Sequence, residues 1–241
     1  MTKTLLWIAI AGIGLGSAFL SLAYALGGPD FDDLQLSLGL GPSCGDGHAG
    51  PRERHLAWNG EDAVELTLPG TVYWRGGEGS DVVMRGAPGM VAHVELKRGK
   101  LALDCRSGRA RDLEVTLPGR PFRRIGIAGS GKLVMENVSQ PELALSITGS
   151  GSMRAQGTVD RATIAVTGSG DAKLGELAAK RLAITITGSG KVEAAPKDSA
   201  DVNIAGSGDV RLLTKPASLR SNIAGSGRIK QAPAEAAEGK K

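Results

Sequence analysis

The stretch GIAGSGKL at 126–133 carries the residue types of a phosphate-binding loop, with Gly126, Gly131 and Lys132 matching G-x-x-x-x-G-K. In such a loop the glycine-rich backbone cradles phosphate oxygens and the lysine neutralises them. A Ser or Thr after the lysine holds Mg²⁺, and a following helix aims its N-terminus at the phosphate. Position 133 is Leu, and the next residues, VMENVSQPEL, include Pro141 and no helical stripe. The constellation is incomplete, and nucleotide binding is not expected.

Other groupings invite the same test. GSGD at 168–171 and 206–209 resembles calcium-binding β-roll repeats. Those repeats have a nine-residue period, and here Lys173 and Arg211 follow two residues after the aspartates. Cys44, His48 and His55 lie close together but without C-x-x-C or H-x-x-x-H spacing, so no metal site is assigned. Asp30, Asp32 and Asp33 fall in a segment where burial would not tune them as an acid–base pair. There is no G-x-S-x-G, no visible Ser–His–Asp arrangement and no carboxylate cluster of the kind that cleaves glycans. No catalytic, cofactor-binding or metal-binding residue is therefore expected.

What positions all these residues is a repeat. Gly-Ser-Gly occurs at 129–131, 149–151, 168–170, 188–190, 206–208 and 225–227, spaced 20, 19, 20, 18 and 19 residues apart. Before each turn apolar residues alternate, as in Leu143, Leu145, Ile147 and in Leu182, Ile184, Ile186. After it, the second residue past the last glycine is apolar in every copy: Leu133, Met153, Ala172, Val192, Val210 and Ile229. Alternation of period two puts these side chains on one face of a strand. Each unit thus reads as strand, glycine turn, strand and variable connection, and a unit this short buries its apolar face only by stacking on neighbours. The expected fold is all-β, a right-handed parallel β-helix with stacked Gly-Ser-Gly turns. Serine between the glycines is placed to bond to nearby backbone or to the serine of the next rung.

Composition agrees with a thin aliphatic core: 36 glycines and 3% aromatics in 241 residues, with 41% apolar residues. Residues 58–120 also alternate in strand-length runs, around Val64, Leu66 and Leu68, around Val91 to Leu96, and around Leu113, Val115 and Leu117. Two LPG triplets, at 68–70 and 117–119, suggest loosely related rungs. The organisation expected is a β-helix over 58–230 with regular coils over 121–230, a linker at 27–57 and a disordered tail at 231–241.

At the N-terminus Lys3 precedes an uncharged run from Leu5 to Leu26. Its 22 residues are long enough to cross a hydrocarbon core of about 30 Å as a helix. Ala23-Tyr24-Ala25 also fits a signal-peptidase site, so residues 1–26 read as one hydrophobic helix, either a signal peptide cleaved after Ala25 or an inner-membrane anchor. Either reading exports the remainder to the periplasm. In that compartment the two cysteines, Cys44 and Cys105, are permitted a disulfide, which sequence alone does not establish.

The outward positions are cationic. Arg154, Lys173 and Arg211 fall on non-core strand positions, with Lys132, Lys191 and Arg228 just past the turns. Residues 121–230 hold 15 basic and 9 acidic residues, a net of +6. A basic column suits an anionic polymer, such as an acidic glycan or lipid headgroups. The plainer reading is a solvated face that discourages edge-to-edge association. No aromatic residues alternate with the cations, so nucleic acid is not an expected partner.

Taken together, the repeated I-T/A-G-S-G-x-V/L/I motif, the V-x-L-x-x-P type strand before it and the export signal resemble the GIN domain family. That domain is described as the head of bacterial autotransporter adhesins. The resemblance spans roughly 60–230 and implies a right-handed parallel β-helix in the cell envelope, with no catalytic residue. The polar QAPAEAAEGKK end is not the β-barrel translocator of an autotransporter. The function expected is a non-enzymatic binding, adhesin-like or scaffold module acting through its stacked faces on an envelope partner. The alternative is an enzyme of the same fold acting on envelope polysaccharide.

Overall fold

The computed structural model describes residues 44, 50–58, 62–77, 79–105 and 113–232. The expected hydrophobic helix at 1–26, most of the linker with Asp30, Asp32, Asp33 and His48, and the tail beyond 232 lie outside them. Among the described residues no helix is long and apolar enough to cross a membrane.

The strands are β1 (Glu53–Ala57), β2 (Ala63–Thr67), β3 (Thr71–Arg75), β4 (Asp81–Arg85), β5 (Val94–Lys97), β6 (Lys100–Leu103), β7 (Glu114–Leu117) and β8 (Arg124–Gly129). They continue with β9 (Lys132–Gly149), β10 (Ser152–Gly168), β11 (Asp171–Gly188), β12 (Lys191–Gly206), β13 (Asp209–Leu212), β14 (Ser218–Gly225) and β15 (Arg228–Gln231). One short helix, α1 (Pro88–Ala92), lies between β4 and β5. The chain winds as a β-solenoid of about five turns.

Parallel pairing runs β2–β8–β9–β10–β11–β12–β14 on the side before the corners. After the corners it runs β3–β9–β10–β11–β12–β13–β15. Strands β9 to β12 are 16 to 18 residues long because each passes from one corner to the next without leaving the ladder. The segments expected as variable connections are extended and paired. Register shifts, such as those between Ala155 and Gly157 and between Leu174 and Ala178, absorb the differences in repeat length.

The corners stack in register, Gly129 on Gly149, then Gly168, Gly188, Gly206 and Gly225. Each of these glycines has a positive φ, from +106° to +129°. A Cβ on Gly188 would stand 2.5 Å from the carbonyl oxygen of Gly168. The sequence needs glycine here both for the turn and for the approach of the next rung. The serines are exposed, and their side chains make no hydrogen bond among the described residues. The amide of Ser189 instead donates to Gly168 O at 2.8 Å, and Ser150, Ser169, Ser207 and Ser226 repeat the bond. The expected serine side-chain contacts give way to this ladder because the corner turns the hydroxyl to solvent.

Inside, the alternating residues form continuous columns. Leu133, Met153, Ala172, Val192, Val210 and Ile229 succeed one another, as do Ile127, Ile147, Val166, Ile186, Ile204 and Ile223. Ile164, Ile184 and Val202 are fully buried, each contributing about 1.5–3 kcal/mol over an exposed state. No polar or charged side chain is buried among the described residues.

The solenoid begins under a cap. Leu68-Pro69-Gly70 occupies the corner below Gly129-Ser130-Gly131, with Lys132 N donating to Gly70 O at 2.9 Å. The second LPG, at 117–119, ends β7, whose Leu117 pairs with Trp74 of β3 at the far end from that corner. The two triplets are therefore not stacked rungs. Strands β5, β4 and β1 pair antiparallel and close this end. Residues 53–57, expected within the linker, are β1, because their amides pair with β4 and Leu56 packs on the core. Val91, expected in a strand, is buried on α1, where Pro88 starts a helical turn without needing its missing N–H. At the other end β15 runs to Gln231, one residue into the segment expected as tail.

Cys44 and Cys105 form a disulfide, with Cα atoms 5.2 Å apart and a separation of 61 in sequence. Both are buried. Closing a loop of that length stabilises by about 4 kcal/mol in the chain-entropy treatment.

Candidate functional site

The residues singled out by motif are placed first. Gly126 lies in β8, and Lys132 opens β9 with its amide committed to Gly70 O. The same bond recurs at the next corner, where Ser152 N donates to Gly131 O at 3.0 Å, so the backbone of these corners serves the stacking of rungs. Asp171 and Asp209 stand in one row with Lys191 between them, an arrangement that repels calcium rather than enclosing it. Cys44 is held in its disulfide, and His55 Nε2 lies 3.0 Å from Glu53 Oε1. A grouping the sequence did not suggest joins His93, Asp104 and Cys105, with His93 Nδ1 2.6 Å from Asp104 Oδ1. Cys105 spends its sulfur in the disulfide, leaving a two-residue exposed pair.

The expected basic residues do fall into rows across the rungs, about 4.8 Å apart. The row just past the corners reads Thr71, Lys132, Ser152, Asp171, Lys191, Asp209, Arg228. Two residues further along, the row reads Tyr73, Val134, Arg154, Lys173, Glu193, Arg211, Lys230. Acidic residues interrupt both, so neither is a pure basic column. Arg228 makes two bonds of 3.1 Å to the Asp209 carboxylate. That hydrogen bond holds the Asp209 carboxyl below its ordinary range and Arg228 above its own. Arg211 Nη1 lies 3.8 Å from Glu193 Oε2, and Arg154 pairs with Glu176. Sequence reasoning missed these partners because each sits on a different rung, aligned only once the register is known.

What stands outside the close ion pairs of these rows is lysine. Lys173, Lys191 and Lys230 have no ion-pair partner among the described residues. With Glu193, Arg211 and Arg228 they border a groove of about 400 Å³ across the last four rungs. Five cations against three carboxylates, Asp171, Glu193 and Asp209, leave it a net +2.

The side before the corners has different chemistry. Over the regular coils its two outward rows nearest the corners read Gly126, Ser146, Ala165, Thr185, Asn203, Asn222 and Ala128, Thr148, Thr167, Thr187, Ala205, Ala224. These side chains are small and uncharged. The signal was present in sequence as the residues flanking Ile147, Val166, Ile186 and Ile204.

Fold and faces together define a parallel β-solenoid whose rows nearest the glycine corner are charged on one side and, over the regular coils, small and uncharged on the other. The chain belongs to the family described as "Putative auto-transporter adhesin, head GIN domain", which matches residues 62–216. Among solved structures it is similar to a "putative adhesin" of Bacteroides fragilis at 17% identity and TM-score 0.59, covering 75% of this chain and 96% of that one. It is also matched by a "putative lipid binding protein" of Parabacteroides distasonis, at 19% identity and TM-score 0.48, over 78% of this chain and 98% of that one. A "putative adhesin" of Parabacteroides merdae matches at 14% identity and TM-score 0.47, over 78% and 98%. No curated protein matches the chain.

Proposed function

We propose that this GIN-domain protein is an exported, non-enzymatic binding module of the cell envelope that docks on anionic surfaces through its lysine-bearing face. The observation that carries the reading is the set of three unpaired lysines, Lys173, Lys191 and Lys230, along one groove. In this reading the solenoid is right-handed, and the N-terminal hydrophobic segment directs export, by cleavage after Ala25 or by anchoring in the inner membrane. The Cys44–Cys105 disulfide supports export, since such bonds persist in oxidising compartments. The non-enzymatic assignment draws on burial: no polar or charged side chain is buried among the described residues, whereas catalytic acids and bases are commonly tuned by burial. The partner is an acidic glycan or an anionic lipid surface, which share the same charge chemistry.

Replacing Lys173, Lys191 and Lys230 together by alanine is expected to weaken retention on anionic vesicles or an acidic polysaccharide at low salt. At about 1 kcal/mol per lysine near such a surface, the loss is about 100-fold. Replacing Arg154, Lys173 and Arg211 is expected to do less, because two of the three are neutralised by Glu176 and Glu193. Unchanged retention of the lysine variant overturns the docking role. Turnover of a uronic-acid polymer by the wild type overturns the non-enzymatic assignment.

A further inference from the structure

A second concavity lies on the other side of the corners, toward the capped end. It has a volume of about 340 Å³ and is bounded by Glu65, Arg98, Lys100, Arg124, Ser146 and Thr148 around Gly126. Register fixes the arrangement. Lys100, Glu65, Gly126 and Ser146 follow one another across β6, β2, β8 and β9, and Arg124 stands two residues before Gly126 on the same face. Gly126 is a gap in this row, and a Cβ there would lie 2.8 Å from Ser146 Oγ. The glycine that imitated a phosphate loop is thus the floor of a notch.

Arg98 enters from outside the row, on the two-residue turn between β5 and β6. Its φ is +48°, and the amide of Glu65 donates to the carbonyl of the adjoining Gly99 at 2.9 Å. The turn is thereby tied to β2 beside the notch. Neither Arg98 nor Arg124 has a side-chain ion-pair partner among the described residues. Arg98 and Arg124 stand with Glu65 and two hydroxyls in a volume at the lower end of small-ligand pockets, about 300–1,000 Å³.

A simple inorganic anion would suit the arginines but leave Glu65 opposed to it. A ligand carrying both a carboxylate and several hydroxyls suits every group present. We infer that the notch binds one acidic sugar unit of a glycan. The guanidinium groups of Arg98 and Arg124 take the carboxylate, a pairing that favours bidentate geometry. Glu65, Ser146 and Thr148 take ring hydroxyls. The site shares no residue with the lysine groove, so it selects a sugar where that groove supplies only charge.

The test uses the full disulfide-bonded chain in non-ionic detergent, titrated calorimetrically with trigalacturonate. Neutral galactotriose and inorganic phosphate are the controls. Saturable binding of trigalacturonate is expected, with no binding of galactotriose and no displacement by an equal concentration of phosphate. Arg98→Gly is expected to weaken binding about ten-fold or more while leaving the fold intact, because glycine is the easier residue at that φ. Arg124→Ala and Gly126→Val, which fills the notch, are expected to act in the same direction. The triple lysine variant is expected to retain affinity within about two-fold. Absent binding of trigalacturonate, unchanged affinity in Arg98→Gly, or equal displacement by phosphate overturns the inference.

Discussion

At the scale of single residues, the corner glycines carry more of the fold than any aliphatic side chain. Gly188 has a φ of +121°, and any Cβ would press on Gly168 O. Gly188→Ala is expected to destabilise by roughly 3 kcal/mol or more, adding backbone strain to overpacking against a carbonyl that cannot rotate away. Chemical denaturation that finds less than about 1 kcal/mol would refute the account. Much at this scale was legible beforehand. The inward column from Leu133 to Ile229 follows from alternation alone, and so does the placement of Arg154, Lys173 and Arg211 outside. The neutralisation of Arg154 and Arg211 was not legible; Glu176, for one, reaches Arg154 across a register slip that no spacing rule anticipates. The role of Gly126 was hidden for a similar reason. Its notch exists only where β2 and the β5–β6 turn, distant in sequence, abut β8.

At the scale of elements, the regular coils and the cap obey different rules. Period-2 alternation and a constant repeat made β8 to β15 readable. The cap has no period: β4 and β5 reverse direction, α1 interrupts them, and β1 comes from a Gly- and Pro-rich stretch that looked unstructured. Here aromatic residues join the aliphatic packing. Trp58 meets the fully buried Phe122 edge-on at 5.2 Å, and Trp74 Nε1 donates to Arg120 O at 3.0 Å. The disulfide anchors this irregular end. Cys105→Ser is expected to lower the melting temperature. Hydrogen exchange should also accelerate in β5 and β6 first, with little change in β10 to β12, since each coil is stabilised mainly by its neighbours. Uniform acceleration across all strands would show that the cap and coils unfold as one unit.

At the scale of the whole molecule, the two ends are unlike. One is covered by antiparallel strands, and the other presents the unpaired outer edges of β14 and β15 among the described residues. On that last rung the core column Leu145, Ile164, Ile184, Val202 ends in Ser221, flanked by Arg220 and Asn222. Ile223 remains 41% exposed beside them. A polar residue at the top of an apolar column is a device against edge pairing. Ser221→Ile is expected to promote end-to-end association at lower protein concentration than the wild type, read by sedimentation velocity, with the melting temperature little changed. Identical sedimentation of the two across a wide concentration range would remove Ser221 from that role. The stacked corners have a further consequence. Since each rung repeats the same glycine at the same register, whole coils could be gained or lost without disturbing either end. The length of the solenoid is therefore adjustable in steps of about 4.8 Å, a ruler graduated by glycine.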